Sequence, residues 1–147
     1  MSTDLDELLK LDNQLCFPLY AASKEIIKRY KPVLDELDIT YTQYLVLLVL
    51  WENDNILVKD LGARLYLDSG TLTPLLKKLE KKGYIYRTKG KIDEREVNIS
   101  LTPLGQSIKQ KAYIVPQTIG TCVKLDKEEA VILYNLLYKI LRGFDYD

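Results

Sequence analysis

Histidine is absent from this 147-residue chain, and cysteine occurs only twice. With no imidazole, phenol hydroxyls and helix N–H groups are left as the donors that could activate a thiol. No stretch approaches the roughly 18 apolar residues that a membrane span requires. The longest apolar run, Tyr44 to Trp51, has the length of a buried helix. The opening MSTDLDELLK is acidic and lacks an apolar core, so it does not read as a signal peptide. These absences lead us to expect a cytoplasmic protein, whose two cysteines are free or redox-active thiols rather than a permanent staple. Repeats and low-complexity tracts are also missing, and the length suits one domain, residues 1–147. No cofactor, metal or catalytic centre is expected.

Net charge is missing too, since 21 basic residues balance 21 acidic ones. Overall charge therefore excludes no class of partner, but its distribution is uneven. From Pro74 to Lys91, seven basic residues (Lys77, Lys78, Lys81, Lys82, Arg87, Lys89, Lys91) face one acid, Glu80, leaving this window +6 and the remainder −6. A basic segment on a neutral protein is the footprint of a polyanion-binding face, although a solvated helix face has the same composition.

Hydrophobic spacing places the elements. Leu15, Cys16, Leu19, Tyr20, Ile26, Ile27 and Tyr30 recur at helical intervals, predicting a first helix that ends near Lys31-Pro32. Pro18 lies inside it and predicts a kink beside Cys16. A short helix from Val33 to Leu37, a buried one from Tyr41 to Glu52 capped by Thr40, and another short one from Val58 to Leu65 follow. Asp68-Ser69-Gly70-Thr71 is a cluster of capping residues, after which Leu72, Leu75, Leu76 and Leu79 form one stripe that Gly83 ends. The period then changes to two: Tyr84–Thr88 and Glu96–Leu101 read as strands around the turn KGKIDER. Thr102-Pro103 opens a helix running past Pro116, with a bend there, to about Val123. Asp126 with Glu129 opens the last.

The expected fold is therefore mainly α: a winged helix-turn-helix with a two-stranded β-wing over about 41–102. The helices of about 1–40 and 103–147 carry surplus apolar surface and form a dimerisation region. In such units the second helix enters the major groove. The leucine stripe faces inward and leaves Ser69, Thr71, Thr73, Lys77, Lys78 and Lys81 outward, hydroxyls toward base edges or phosphates and lysines toward phosphates. Arg87, Lys89 and Lys91 extend the basic face along the wing, and Arg95 at the hairpin is placed to enter a minor groove.

The stretch LYLDSGTLTPLLKKLEKKGYI, followed by the wing KIDEREVNISLTPLG, resembles the MarR family of bacterial transcription regulators. The resemblance implies that Asp68, Ser69, Thr71 and Thr73 occupy recognition-helix positions and Arg95 the DNA-touching wing position. Helix capping alone would equally account for Asp68 and Ser69. Within that family, LDNQLCFPLYAASKEIIKRYKP and LDITYTQYLVLLVLWE resemble the organic hydroperoxide regulators, over nearly the whole chain. This implies that Cys16 is the peroxide sensor and that Tyr30 and Tyr41 of the partner subunit hydrogen-bond its sulfur. Tyr20 belongs to the same aromatic neighbourhood. Donors that prefer the charged sulfur favour the reactive thiolate. The resemblance also implies a two-cysteine subtype, in which Cys122 of the opposite subunit resolves a sulfenic acid on Cys16 into a disulfide. A small packing residue is the alternative for Cys122, and a space-filling thiol for Cys16.

A two-fold dimer would present two recognition helices to a near-palindromic double-stranded DNA operator. The resemblance further implies that reduced protein represses and oxidised protein lets go. Three rivals stay open on the sequence: a MarR-type sensor of a phenolic ligand in a pocket of Tyr20, Tyr30, Tyr41, Tyr44 and Trp51, a thiol peroxidase, and a DNA-coating architectural protein.

Overall fold

The computed structural model describes residues 4–144. Eight α-helices, a 3-10 turn at Leu11–Asn13 and a small sheet form among these residues: α1 Asp4–Leu8, α2 Cys16–Asp35, α3 Tyr41–Glu52, β1 Ile56–Leu57, α4 Val58–Leu65, α5 Ser69–Lys81, β2 Ile85–Lys89, β3 Val97–Leu101, α6 Pro103–Ala112, α7 Ile114–Gly120 and α8 Lys127–Arg142. The expected mainly helical winged helix-turn-helix is present, with α4 and α5 as its helix pair and β2–β3 as its wing. The sheet holds a third strand that the sequence pattern did not reveal. β1 pairs antiparallel with β3, Ile56 opposite Ile99 and Leu57 opposite Asn98, giving the order β1-β3-β2.

Two prolines behave differently from expectation. Cys16 is the first residue of α2, so Pro18 lies in the opening turn, where its missing N–H has no intrahelical acceptor to lose. No kink is required there. Pro32, expected to end the helix, instead lies inside it, and α2 continues to Asp35. Val33 and Leu34, both buried, follow directly, and their packing outweighs the one backbone bond that Pro32 removes. Pro116 acts as expected. It withholds the N–H that would reach the Ala112 carbonyl, and the long helix breaks one turn earlier, at Tyr113, into α6 and α7.

The core gathers the C-terminal part of α2, most of α3, and the inner faces of α4, α5, β2, β3, α6 and α7. Leu34, Leu47, Leu50, Leu61, Leu72, Leu76, Leu79, Ile85 and Ile99 are fully enclosed. Gly83, left-handed at φ 83°, turns the chain from α5 into the wing. Gly105 lets α6 pack against the wing root, because a Cβ there would collide with the Tyr84 carbonyl oxygen. Trp51 fastens α3 to α6 by donating its indole N–H to the Gly105 carbonyl at 3.0 Å.

Outside the core, two segments carry exposed apolar side chains. α8 has no buried residue, yet it carries Val131, Ile132, Leu133, Tyr134, Leu136 and Ile140 in the open. Leu5, Leu8, Leu9, Leu11 and Leu15 are exposed at the other terminus. None of the described helices is long and apolar enough to cross a membrane.

Candidate DNA-reading surface and thiol centre

The reading surface begins at a helix start. Asp68 caps α5 by accepting the Thr71 N–H at 2.7 Å, and that bond holds its carboxyl below the usual carboxylate range. The capping account of Asp68 is therefore realised in the geometry, and any DNA contact would come in addition. Ser69, Thr71, Lys77 and Lys78 are exposed on the outer face of α5, whereas Thr73 is only half-exposed. Leu72, Leu75, Leu76 and Leu79 are buried, as their spacing predicts.

On the wing, Lys89 and Lys91 are exposed, and Ile92 stands fully in solvent at the tip. Arg95 is held in a two-point bond by Asp93, Nε to Oδ1 and Nη2 to Oδ2, both 3.1 Å. The arginine in turn keeps the Asp93 carboxyl low. Arg87 differs from the other basic residues. It is half-buried and reaches back 3.3 Å to Glu80 on α5, so it braces the wing against the recognition helix rather than standing free. Ser69 and Arg95 share a cleft of about 570 Å³, with Lys59, Gly62 and Leu67 in its wall. Lys59, which bonds Glu96 at 3.4 Å, was missed by sequence reasoning because it lies outside the basic window.

The thiol centre divides into two parts. Tyr30 and Tyr41 come together with ring centroids 4.6 Å apart, and Tyr44 lies 6.1 Å from Tyr30. Burial, reinforced by the neighbouring phenols, pushes the Tyr30 hydroxyl up to about 12, and burial raises Tyr41 and Tyr44 as well. All three stay protonated near neutral pH and keep an O–H to donate. Tyr30 and Tyr41 border a groove of about 430 Å³ with Lys24, Ile27, Leu34 and Ile39.

Cys16 lies elsewhere. Fourteen residues of helix separate it from Tyr30, about 21 Å of axial rise, so it cannot reach the tyrosines of its own chain. It is exposed within the chain, as are Leu15, Phe17 and Leu19 around it, so Cys16 does not fill space inside a single subunit. Tyr20 is exposed too, with the Lys24 ammonium 5.8 Å from its ring centre. Cys122, just past α7, is also exposed and free, its Sγ 3.6 Å from the Thr118 carbonyl. The five aromatics do not line one pocket. Tyr44 and Trp51 border a separate groove of about 330 Å³ with Tyr113 and Pro116. Among the described residues no cluster of side chains suited to a metal ion occurs.

The fold and its basic reading surface define a winged helix-turn-helix transcription regulator. The profile of the family described as Transcriptional regulator SarA/Rot matches residues 28–112. The chain is 53% identical, over 90% of its own length and 90% of the other's, to the organic hydroperoxide resistance transcriptional regulator of Bacillus subtilis (strain 168). Among solved structures it is similar to AbfR of Staphylococcus epidermidis. Reduced AbfR bound to DNA is 37% identical with a TM-score of 0.77, covering 95% of this chain and 96% of that one. Overoxidised AbfR bound to DNA is 36% identical at 0.77, with 95% and 98% covered. The disulfide-formed AbfR fits less closely, at 35% identity and 0.67, with 97% of each chain covered. A cysteine-to-serine mutant of MarR from E. coli, complexed with operator DNA, is 28% identical at 0.78, covering 95% and 99%. The chain belongs to the MarR family of transcription regulators, in the branch of the organic hydroperoxide regulators.

Proposed function

We propose that this chain is a homodimeric, redox-sensing repressor that binds a near-palindromic double-stranded DNA operator while reduced and leaves it when Cys16 enters a disulfide with Cys122 of the partner. DNA contact falls to Ser69, Thr71, Thr73, Lys77 and Lys78 on α5, and to Lys89, Lys91 and Arg95 on the wing. The observation that carries the reading is the placement of Cys16 at the start of α2, among the exposed apolar side chains of Leu15, Phe17 and Leu19, with Tyr30 toward its far end packed on Tyr41 of α3. A second subunit laid antiparallel on those surfaces would bring each Cys16 to the other chain's Tyr30 and Tyr41.

The chemistry balances without a cofactor. The Cys16 thiolate attacks the distal oxygen of an organic hydroperoxide; the S–O bond forms, the O–O bond breaks, and the alkoxide leaves as an alcohol on taking a proton. The Cys122 thiolate then attacks the sulfenic sulfur; the S–S bond forms, the S–O bond breaks, and the oxygen departs as water after protonation. A disulfide requires Cα atoms within about 7 Å, so a reduced pair held farther apart can close only by displacing helices at the dimer boundary. Two features support the disulfide, rather than oxygen on sulfur, as the releasing event. Overoxidised AbfR is found on DNA, and this chain, with both thiols free, superposes better on the DNA-bound forms than on the disulfide form.

The test compares wild type, C16S and C122S for DNA binding before and after cumene hydroperoxide, alongside non-reducing gels. Wild type should release DNA and form a covalent dimer, and both variants should stay bound. Release by C16S would sink the proposal.

A further inference from the structure

Two junctions far apart in sequence meet in space. The first is the bend of residues 36–40, which joins the helix bearing Tyr30 to the helix beginning at Tyr41. The second, residues 82–84, joins the recognition helix to the wing. The Lys82 ammonium crosses between them, donating to the Asp38 carbonyl at 2.6 Å and to Gln43 Oε1 at 3.4 Å, with the Asp38 carboxylate 3.6 Å away. The Tyr84 hydroxyl makes a buried bond to the Leu37 carbonyl at 3.0 Å.

Both ends are well anchored. Gln43 is 2% exposed, and its Oε1 also accepts the Thr40 N–H at 3.0 Å in the cap of α3. Asp38 is left-handed at φ 55°, which turns its carbonyl toward the lysine. On the other side, Thr102 ties the same junction to α6 by donating its hydroxyl to the Gly83 carbonyl at 2.6 Å. The Asp38 carboxylate is largely exposed and adds little as an ion pair. The bonds to the two main-chain carbonyls and to the enclosed amide are what join the junctions.

We infer that Lys82 and Tyr84 are positioning residues of the switch, transmitting movement of the Tyr30–Tyr41 bend to the point where recognition helix and wing meet. This rests on the redox function proposed above. A rearrangement at the tyrosines shifts the bend of residues 36–40, and the three bonds make the reading elements follow. Without them the bend can move while the DNA-reading unit stays in place, so oxidation loses its leverage on DNA.

The experiment uses full-length wild type, Lys82→Met and Tyr84→Phe, and a fluorescein-labelled duplex selected from a random pool by reduced wild-type protein. Affinity is measured by anisotropy, reduced and after cumene hydroperoxide, with cysteine oxidation confirmed by mass spectrometry. The readout is the ratio of the two affinities, which stays constant if a substitution merely removes a phosphate-binding group from both states. In the variants, equally oxidised, the oxidation-induced loss of affinity should shrink by about fivefold or more. A ratio equal to wild type overturns the inference, including the case in which affinity falls uniformly. If Lys82→Met does not fold, Tyr84→Phe, which removes a single oxygen, decides alone. Wild type indifferent to oxidant would remove the redox function and this role together; a responsive wild type with equally responsive variants removes only the role.

Discussion

Tyr30 keeps its proton to about pH 12 because it is packed against Tyr41 and Tyr44, where a phenolate would be both desolvated and repelled. Its folded value lies above the free phenol's, near 10. The stabilising contribution is therefore complete below about pH 10 and is lost as pH rises toward 12. Difference spectroscopy should find phenols titrating late, in step with unfolding. Tyrosines that all ionise near pH 10 in a still folded chain would contradict the packing. The acid side has the opposite sign. Asp68, Asp93 and Asp126 are held low by bonds to Thr71, Arg95 and Glu129, so their contribution is present above about pH 4 and disappears on further acidification. Asp68→Ala should lower the melting temperature, whereas Asp68→Ser, another good cap, should restore most of it. Equal melting temperatures for the two would show that the cap contributes nothing.

Among elements, the recognition helix is the most completely built. Leu79 has no exposed surface, and Leu79→Ala should cost about 2–5 kcal/mol in chemical denaturation. Gly105→Ala is also expected to destabilise, since the added carbon meets a main-chain oxygen rather than a yielding side chain. A Gly105→Ala protein as stable as wild type would show that α6 is free to shift away. The periodic elements were legible in the sequence: the leucine stripe of α5, the alternation of β3 and the caps at Thr40, Asp68, Thr102 and Asp126 all appear where residue spacing puts them. What was not legible depended on tertiary context. β1 is two residues long and exists only because β3 offers an edge. Pro32 reads as a stop, but the leucine and valine beyond it are worth more in the core than the bond it removes. The surroundings of Cys16 were not legible either, because hydrophobic neighbours say only that something covers them, not that the same chain does. Arg87 and Asp38 are separated in sequence from the groups they meet, or meet them through carbonyls that no side-chain pattern reveals.

At the scale of the whole molecule, the uncovered apolar side chains of α8 and of the N-terminal segment are what a second copy would bury. Sedimentation should give a dimer mass. Leu136→Asp should give a monomer that still folds, because Leu136 lies outside the core of its own chain and is 52% exposed there. A dimer that persists with this charge on α8 would move the interface elsewhere. Binding to the duplex should weaken steeply as salt is raised, as follows if the lysines of α5 and the wing displace counterions from phosphates in the proposed way. Affinity indifferent to salt would point away from the basic face.

One indole remains to be put to use. Trp51 is the sole tryptophan, and its N–H bond to Gly105 spans from α3, the helix that begins at Tyr41, to the helix that leads toward Cys122. Its emission is thus an optical gauge of the spacing between those two helices, without any added dye. Exposure to hydroperoxide should shift its colour or intensity in wild type while leaving it steady once Cys16 is replaced by serine. The time course would reveal whether the helices part before or after the chains become covalently joined.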